Sequence, residues 1–444
     1  MGPPYILAYP TFLRNILRVM KTFFVFLAFS LSCVSFLFSA EAKVRVINGK
    51  KCELKDGRLW VDGVWKFMKT GKPLRNFADE KDVDGLIADL PVLKKKGYTN
   101  LSLNCYWHHF DFSGEGEIGV SLEPLRRLID EINGHGMFAS LSVETYGVGG
   151  GRIPEGFWKR HPEAVAVDSH GNEVSDTEYG FGAKVPSIFN DDYLRCSRNF
   201  IRNLCDGLND RDFLYFETTV EPQYMGTRKL DYSKSAKEKF EKVKDKYPAT
   251  LNLTGIRDPG DIEAIATENA WETFRAASLA EWVNGDAETF RKAFAPKNIW
   301  LAVDFLYADR ASMKNRLGDP FLFLKSLNAD IIQVNWTWHL GRRNPNLEAY
   351  AVLNQANKNF NKNWVVTEHM TINGSDYHVE DMEALLRNTI KNSTNFGWEF
   401  VNIAPGGDFS VYNADWSPKP TMAVVENNWE RWMGEIRGKR APDR

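Results

Sequence analysis

Residues 97–144 read GYTNLSLNCYWHHFDFSGEGEIGVSLEPLRRLIDEINGHGMFASLSVE, and their pattern decides the fold. Tyr98–Cys105 and Met137–Glu144 are short apolar runs, each opened by a glycine, Gly97 or Gly136. Between them Leu122, Leu125, Ile129 and Ile132 recur at spacings of three and four, the stripe of an amphipathic helix. Strand, helix, strand predicts a parallel βαβ unit.

The alternation repeats on both sides. Upstream, Trp65–Met68 or Leu74–Phe77 supplies the first strand, followed by a helix with Val83, Leu86, Leu90 and Leu93 on one face. Downstream, Phe213–Val220, Asn298–Phe305, Ala329–Trp336, Trp364–Glu368 and Phe396–Ile403 complete eight strands. A last helix aligns Val425, Trp429, Trp432 and Met433. Eight units predict an α/β fold of the closed (β/α)8 TIM-barrel class. Long loops follow strands three and four, the second including a charged helical stretch near Ser233–Tyr247. No repeat or low-complexity linker divides residues 43–444, which read as one domain.

Residues 1–42 read as an export leader. Lys21 precedes an apolar run from Phe23 to Phe38, and Ala40-Glu41-Ala42 supplies a small-x-small cleavage site, with Met20 as an alternative start. The run is shorter than the roughly 20 residues a membrane span needs. The expected location is secreted or periplasmic, without stable membrane insertion after cleavage.

The composition excludes several classes. With 56 basic and 58 acidic residues the net charge is −2, which offers no footprint for nucleic acid. Five cysteines in 444 residues make no disulfide scaffold and show no zinc spacing. Cys196 and Cys205, nine apart on a predicted helix, fall on opposite faces; Cys52 and Cys105 stay open as a disulfide or as two thiols. The glycine run at 147–151 is followed by Pro154 and no Rossmann unit. His108 and His109 point apart on an extended segment and make no metal pair. No cofactor and no metal are expected, and oligomeric state is not legible.

Barrels of this class carry their chemistry at the carboxyl ends of the strands. The fourth strand ends Phe216-Glu217-Thr218-Thr219-Val220-Glu221-Pro222, and the seventh ends Val365-Val366-Thr367-Glu368-His369. Cleaving a glycosidic bond with retention needs two carboxyl groups about 5–5.5 Å apart. Strands four and seven face each other across the mouth, so Glu221 and Glu368 are the expected pair. Glu217 competes with Glu221, and Glu144, ending strand three, is a third candidate. Trp107, Tyr146, Trp336, Trp338 and Trp398 supply aromatic faces for a sugar's C–H surface. Asn104, Asp304, Asn335 and Arg75 stand where they can meet hydroxyls, although Arg75 has a plain alternative as a carboxylate partner.

Ile153-Pro154-Glu155-Gly156-Phe157-Trp158, His161-Pro162-Glu163-Ala164-Val165 and Val167-Asp168-Ser169-His170-Gly171 resemble the loop after the third strand in glycoside hydrolase family 42. The resemblance continues through Pro186-Ser187, Tyr193 to Tyr215, Glu221-Pro222 and Phe274 to Phe290. Family 42 holds bacterial β-galactosidases of clan A, which are retaining enzymes. The resemblance implies that Glu221 is the acid/base with a raised pKa, that Glu368 is the nucleophile, and that Trp398 is the clan's strand-eight tryptophan. It also implies a carbohydrate substrate. Val220 departs from the clan, which places Asn directly before the acid/base. An endo-acting glycanase and a carbohydrate-binding barrel without catalysis are the alternative readings.

Overall fold

The computed structural model describes residues 43–55, 57–146, 152–176, 182–218, 221–225, 231–246, 259–306, 316–335, 352–353, 355–356, 359–360, 365–370, 395–407 and 410–439. For 259–270, 272, 305–306, 335, 365–370, 395 and 436–439 only the backbone is described. The proposed leader, Val220, Trp336 and Trp338 lie outside the described residues. Among the described residues no helix is long and apolar enough to cross a membrane.

The chain begins with a four-stranded sheet that the sequence reading did not anticipate: β1 (Lys43–Ile47), β2 (Lys50–Lys55), β3 (Arg58–Val61) and β4 (Val64–Lys66). Its turns have the chemistry of tight hairpins. Asn48-Gly49 and Asp62-Gly63 all take positive φ, 51°, 75°, 50° and 76°, the backbone a type I′ turn requires. Val64–Lys66 therefore belongs to this sheet. The first barrel strand is Met68–Lys72, so of the two expected segments Trp65–Met68 only touches it and Leu74–Phe77 misses it.

The remaining strands are β5 (Met68–Lys72), β6 (Asn100–Tyr106), β7 (Phe138–Glu144), β8 (Phe216–Glu217), β9 (Leu301–Leu306), β10 (Ile331–Asn335), β11 (Val365–Met370) and β12 (Asn395–Val401). Each pairs in parallel with its neighbour in the chain, and β12 returns to β5, which closes an eight-stranded barrel. The (β/α)8 class is as the alternation predicted. Among the described residues the fourth strand proper is only Phe216–Glu217, within the expected Phe213–Val220, and the amides of Leu214 and Thr218 also bond to the neighbouring strands.

Helices wrap the outside through the faces that periodicity marked. Helix α1 (Glu80–Lys95) starts at Asp79, whose carboxylate accepts from the Lys81 and Asp82 amides, and it buries Val83, Leu86, Leu90 and Leu93. Helix α2 (Glu123–Gly134) buries Leu125, Leu128, Ile129 and Ile132. Helix α3 (Asp191–Asp206) is capped by Asn190 and buries Cys196 and Cys205. Next come α4 (Lys234–Val243), α5 (Pro259–Ala293) and α6 (Pro320–Ser326). In α7 (Pro420–Lys439), Val425, Trp432 and Met433 are buried and Trp429 partly so. Cys52, Cys105, Cys196 and Cys205 are all free thiols, so Cys52 and Cys105 do not pair.

The two ends of the barrel differ. At the amino ends of the strands Met68, Phe138, Tyr215, Ile331 and Phe396 share one apolar cluster with Ile47, Cys52, Leu54, Leu59 and Val61 of the N-terminal sheet. Arg45 donates to the Leu214 carbonyl at 3.1 Å and lies over the Trp300 ring. The small sheet is thus the floor of the barrel, and access is left to the carboxyl ends. Closure between β12 and β5 depends on Gly397, because a Cβ there would overlap the Met68 carbonyl oxygen. Gly397→Ala is expected to cost about 1–3 kcal/mol through forced overpacking, read as a lower urea midpoint with an unchanged slope.

Candidate active site

The barrel interior above the floor is polar, and its centre is Lys72. Period-two alternation in β5 sends Thr70 and Lys72 inward, while Lys69 lies outside over the rings of Tyr98 and Trp429. The Lys72 ammonium lies 2.7 Å from Glu217 Oε2 and 3.5 Å from Glu399 Oε1, all three groups buried. The Tyr215 hydroxyl donates to Glu399 Oε2 at 2.7 Å. Burial opposes the Lys72 charge, but Glu217, Glu399, Asp304 and Glu144 outweigh it and hold its pKa well above the ordinary lysine range.

Glu144 closes β7 at the rim of this interior. Its Oε1 accepts from Asn104 Nδ2 at 2.5 Å and its Oε2 from Arg152 Nε at 2.9 Å. Burial pushes its pKa above the usual carboxylate range, and the charges of Arg152 and Lys72 only partly offset that. The Arg152 guanidinium stacks on Tyr106, 3.7 Å from the ring centre. His108 and His109 sit on a helical turn, Trp107–Phe110, with ring centres 4.2 Å apart, not on an extended segment. Burial first, then neighbouring His108 and Arg152, lowers the His109 pKa to about 4, so that imidazole is neutral at physiological pH.

Glu221 follows β8 after a short gap. Its φ of 55° puts a non-glycine residue in the left-handed region, at 8% exposure. Such strain persists only where the surroundings impose it. Here Gln223 Nε2 approaches Glu221 Oε2 at 3.4 Å, the Tyr146 hydroxyl donates to the Gln223 carbonyl at 2.8 Å, and Arg316 donates to the Gln223 side chain.

The expected sugar contacts divide. Asn104, Glu144, Glu217 and Asp304 converge inside the barrel around Lys72. Tyr146 is buried against Trp282 and braces the Glu221 segment, so it offers no open face. Arg75 takes its plain alternative, pairing Asp89 of α1 at 2.9 Å. Trp107 is 0% exposed, packed on Phe157 and Phe200 with its indole N–H on Asp111. Trp398 is also 0% exposed, among Phe67, Trp429 and Trp432 under α7. Strand parity explains this: Glu399, the next residue, is the one that reaches Lys72.

Asn335 and Glu368 are described by backbone alone. Asn335 ends β10 in register with His369, and His369 with Glu399. Glu368 lies in register with Val334 and Trp398, one step out of that row. Sequence reasoning missed Lys72, Arg152, Gln223 and Glu399. Lys72 sits in a strand too polar to be recognised, and Glu399 was legible as the alternation partner of Trp398.

No family model matches this chain, and no curated protein does. Solved structures do resemble its fold. A β-amylase catalytic domain from Paenibacillus polymyxa superposes with a TM-score of 0.59 at 12% identity, covering 81% of this chain and 97% of that one. An endo-1,4-β-mannanase from Rhizomucor miehei gives 0.55 at 10% identity, covering 85% and 98%. A family 42 β-galactosidase from G. stearothermophilus gives 0.58 at 15% identity, covering 83% of this chain and 57% of that one. At these identities the likeness is one of fold, a barrel shared with glycoside hydrolases.

Lys72→Met leaves Glu217 and Glu399 buried without their cation, at an expected cost of about 3–5 kcal/mol. Adding Glu217→Gln and Glu399→Gln should recover most of it, as measured by urea unfolding. Lys72 binds its proton more tightly folded than unfolded. Its contribution therefore holds through neutral pH and fades only above the ordinary lysine range.

Proposed function

We propose that the chain is a secreted retaining β-glycoside hydrolase with Glu221 as acid/base and Glu368 as nucleophile, a role that needs Glu368 to leave the outward row it shares with Val334 and Trp398 near the end of β11. The observation that carries the reading is Glu221 itself. It is a buried carboxylate held in strained backbone just past the fourth barrel strand, where barrel enzymes place their chemistry. The polar interior beside it supports a hydroxyl-rich ligand, since Gln333 is buried and its amide has no hydrogen-bond partner among the described residues.

In the first step Glu368 attacks the anomeric carbon while Glu221 protonates the departing oxygen. In the second Glu221 deprotonates a water that releases the sugar. The substrate is a carbohydrate, and the leader carries the enzyme out of the cytoplasm. Glu144 is the competing acid, because its pKa is raised and two donors orient it.

A panel of aryl β-glycosides tests the assignment. Release with one sugar is expected, abolished in Glu368→Ala and slowed about 10²–10⁴-fold in Glu221→Gln. Unchanged turnover in Glu368→Ala would overturn the nucleophile. Loss in Glu144→Gln with Glu221→Gln intact would move the acid to Glu144. Binding of polysaccharide without hydrolysis, across aryl glycosides and polymers, would make the chain a binding barrel.

A further inference from the structure

The loops leaving β6 and β7 meet on the first half of α3, away from the barrel interior. Three residues converge there that the proposed hydrolysis does not use. Glu115 comes from the loop after β6, His161 follows the helical turn Glu155–Arg160, and Cys196 lies in α3. His161 Nε2 is 3.2 Å from Glu115 Oε1, and Cys196 Sγ is 3.6 Å from Glu115 Oε2. One ligand atom from each residue lies within 4.8 Å of the other two. We propose that Glu115, His161 and Cys196 form a zinc site that ties both loops to α3.

The donor chemistry selects the ion. One imidazole nitrogen, one sulfur and one carboxylate oxygen make a set that zinc accepts, whereas magnesium and calcium take oxygen alone. Bonds of about 2.0–2.3 Å in tetrahedral geometry put neighbouring ligand atoms roughly 3.3–3.6 Å apart. The His161 Nε2 to Glu115 Oε1 separation, 3.2 Å, is close to that spacing, and the Cys196 sulfur, 3.6 Å from the other Glu115 oxygen and within 4.8 Å of the other two ligand atoms, joins the set by side-chain adjustment.

The surroundings fit the same role. His161 Nδ1 lies 3.6 Å from Asp192 Oδ2, and an N–H directed there leaves the Nε2 lone pair for the metal. Arg195 bridges Glu115 Oε2 at 3.1 Å and Asp192 Oδ1 at 2.9 Å, so it orients both carboxylates while Oε1 remains for the ion. Cys196 is fully buried, whereas the Glu115 and His161 side chains keep 32% and 15% exposure. The ion then has a path from solvent, with water as the fourth ligand. As the metal–sulfur bond forms, the Cys196 thiol proton leaves to solvent. The thiolate and carboxylate together balance the dication.

The test uses the purified full chain, treated with chelator and then titrated with zinc by calorimetry, with cobalt as a spectroscopic probe. One zinc per chain is expected at micromolar affinity or better, together with a thiolate-to-cobalt charge-transfer band and a higher melting temperature. Cys196→Ser should remove the band and weaken zinc at least about tenfold. His161→Gln, at a half-open position, should weaken zinc similarly and serves if Cys196→Ser does not fold. The proposal is overturned if the folded wild-type chain takes up no zinc. Cobalt binding without a sulfur band, or zinc affinity unchanged in His161→Gln, would overturn it equally.

Discussion

An ammonium group inside a barrel holds this structure together. Glu144, Glu217, Asp304 and Glu399 all bring carboxylates into the interior, where few waters can solvate them. Ionised carboxylates at that depth are costly unless paired. Lys72 supplies the charge that lets them coexist, in direct contact with Glu217 and Glu399. Arg152 plays the matching part at the rim for Glu144. The lysine comes from the first barrel strand and its main partners from the fourth and eighth, so one ion cluster joins the seam of the barrel to its far wall. The interior of the barrel is therefore polar and charged, not an apolar core.

The opposite ends of the barrel are built from opposite chemistry. At the floor, valines, leucines and aromatic rings of the N-terminal sheet and of the strand starts exclude water. At the top stand Glu144, the last residue of β7, and Arg152 and Glu221 beyond the strand ends. This polarity gives the barrel a single polar face. The strain at Glu221 belongs to that face, and it is held by Gln223, Tyr146 and Arg316. The aromatic residues contribute mainly as supports. Trp107 and Trp398 stiffen the layer behind the strands, and Tyr146 fixes the segment that carries the carboxylate.

Much of this was legible from periodicity. The faces of α1 and α2 appear as apolar residues at spacings of three and four, and seven of the eight barrel strands lie within their expected segments or overlap most of them. The first strand was not, because Met68–Lys72 carries two lysines and a glycine where an apolar run is the usual signal. The N-terminal hairpins left a signal of another kind, the dipeptides Asn48-Gly49 and Asp62-Gly63, which mark tight turns. At the site, strand ends pointed to Glu144, Glu217 and Glu221. Trp107 and Trp398 had the right composition and the wrong side of the backbone.

The sequence by itself determined the alternation of strands and helices, and with it the barrel and the end at which its acids gather. Those properties follow from local periodicity, which each segment carries alone. Only the tertiary structure decided which acids share Lys72, which tryptophans are walls, and that Glu115, His161 and Cys196 meet. Those facts depend on register and on contacts between segments far apart in the chain, where one residue of shift moves a side chain from the interior to the helix layer.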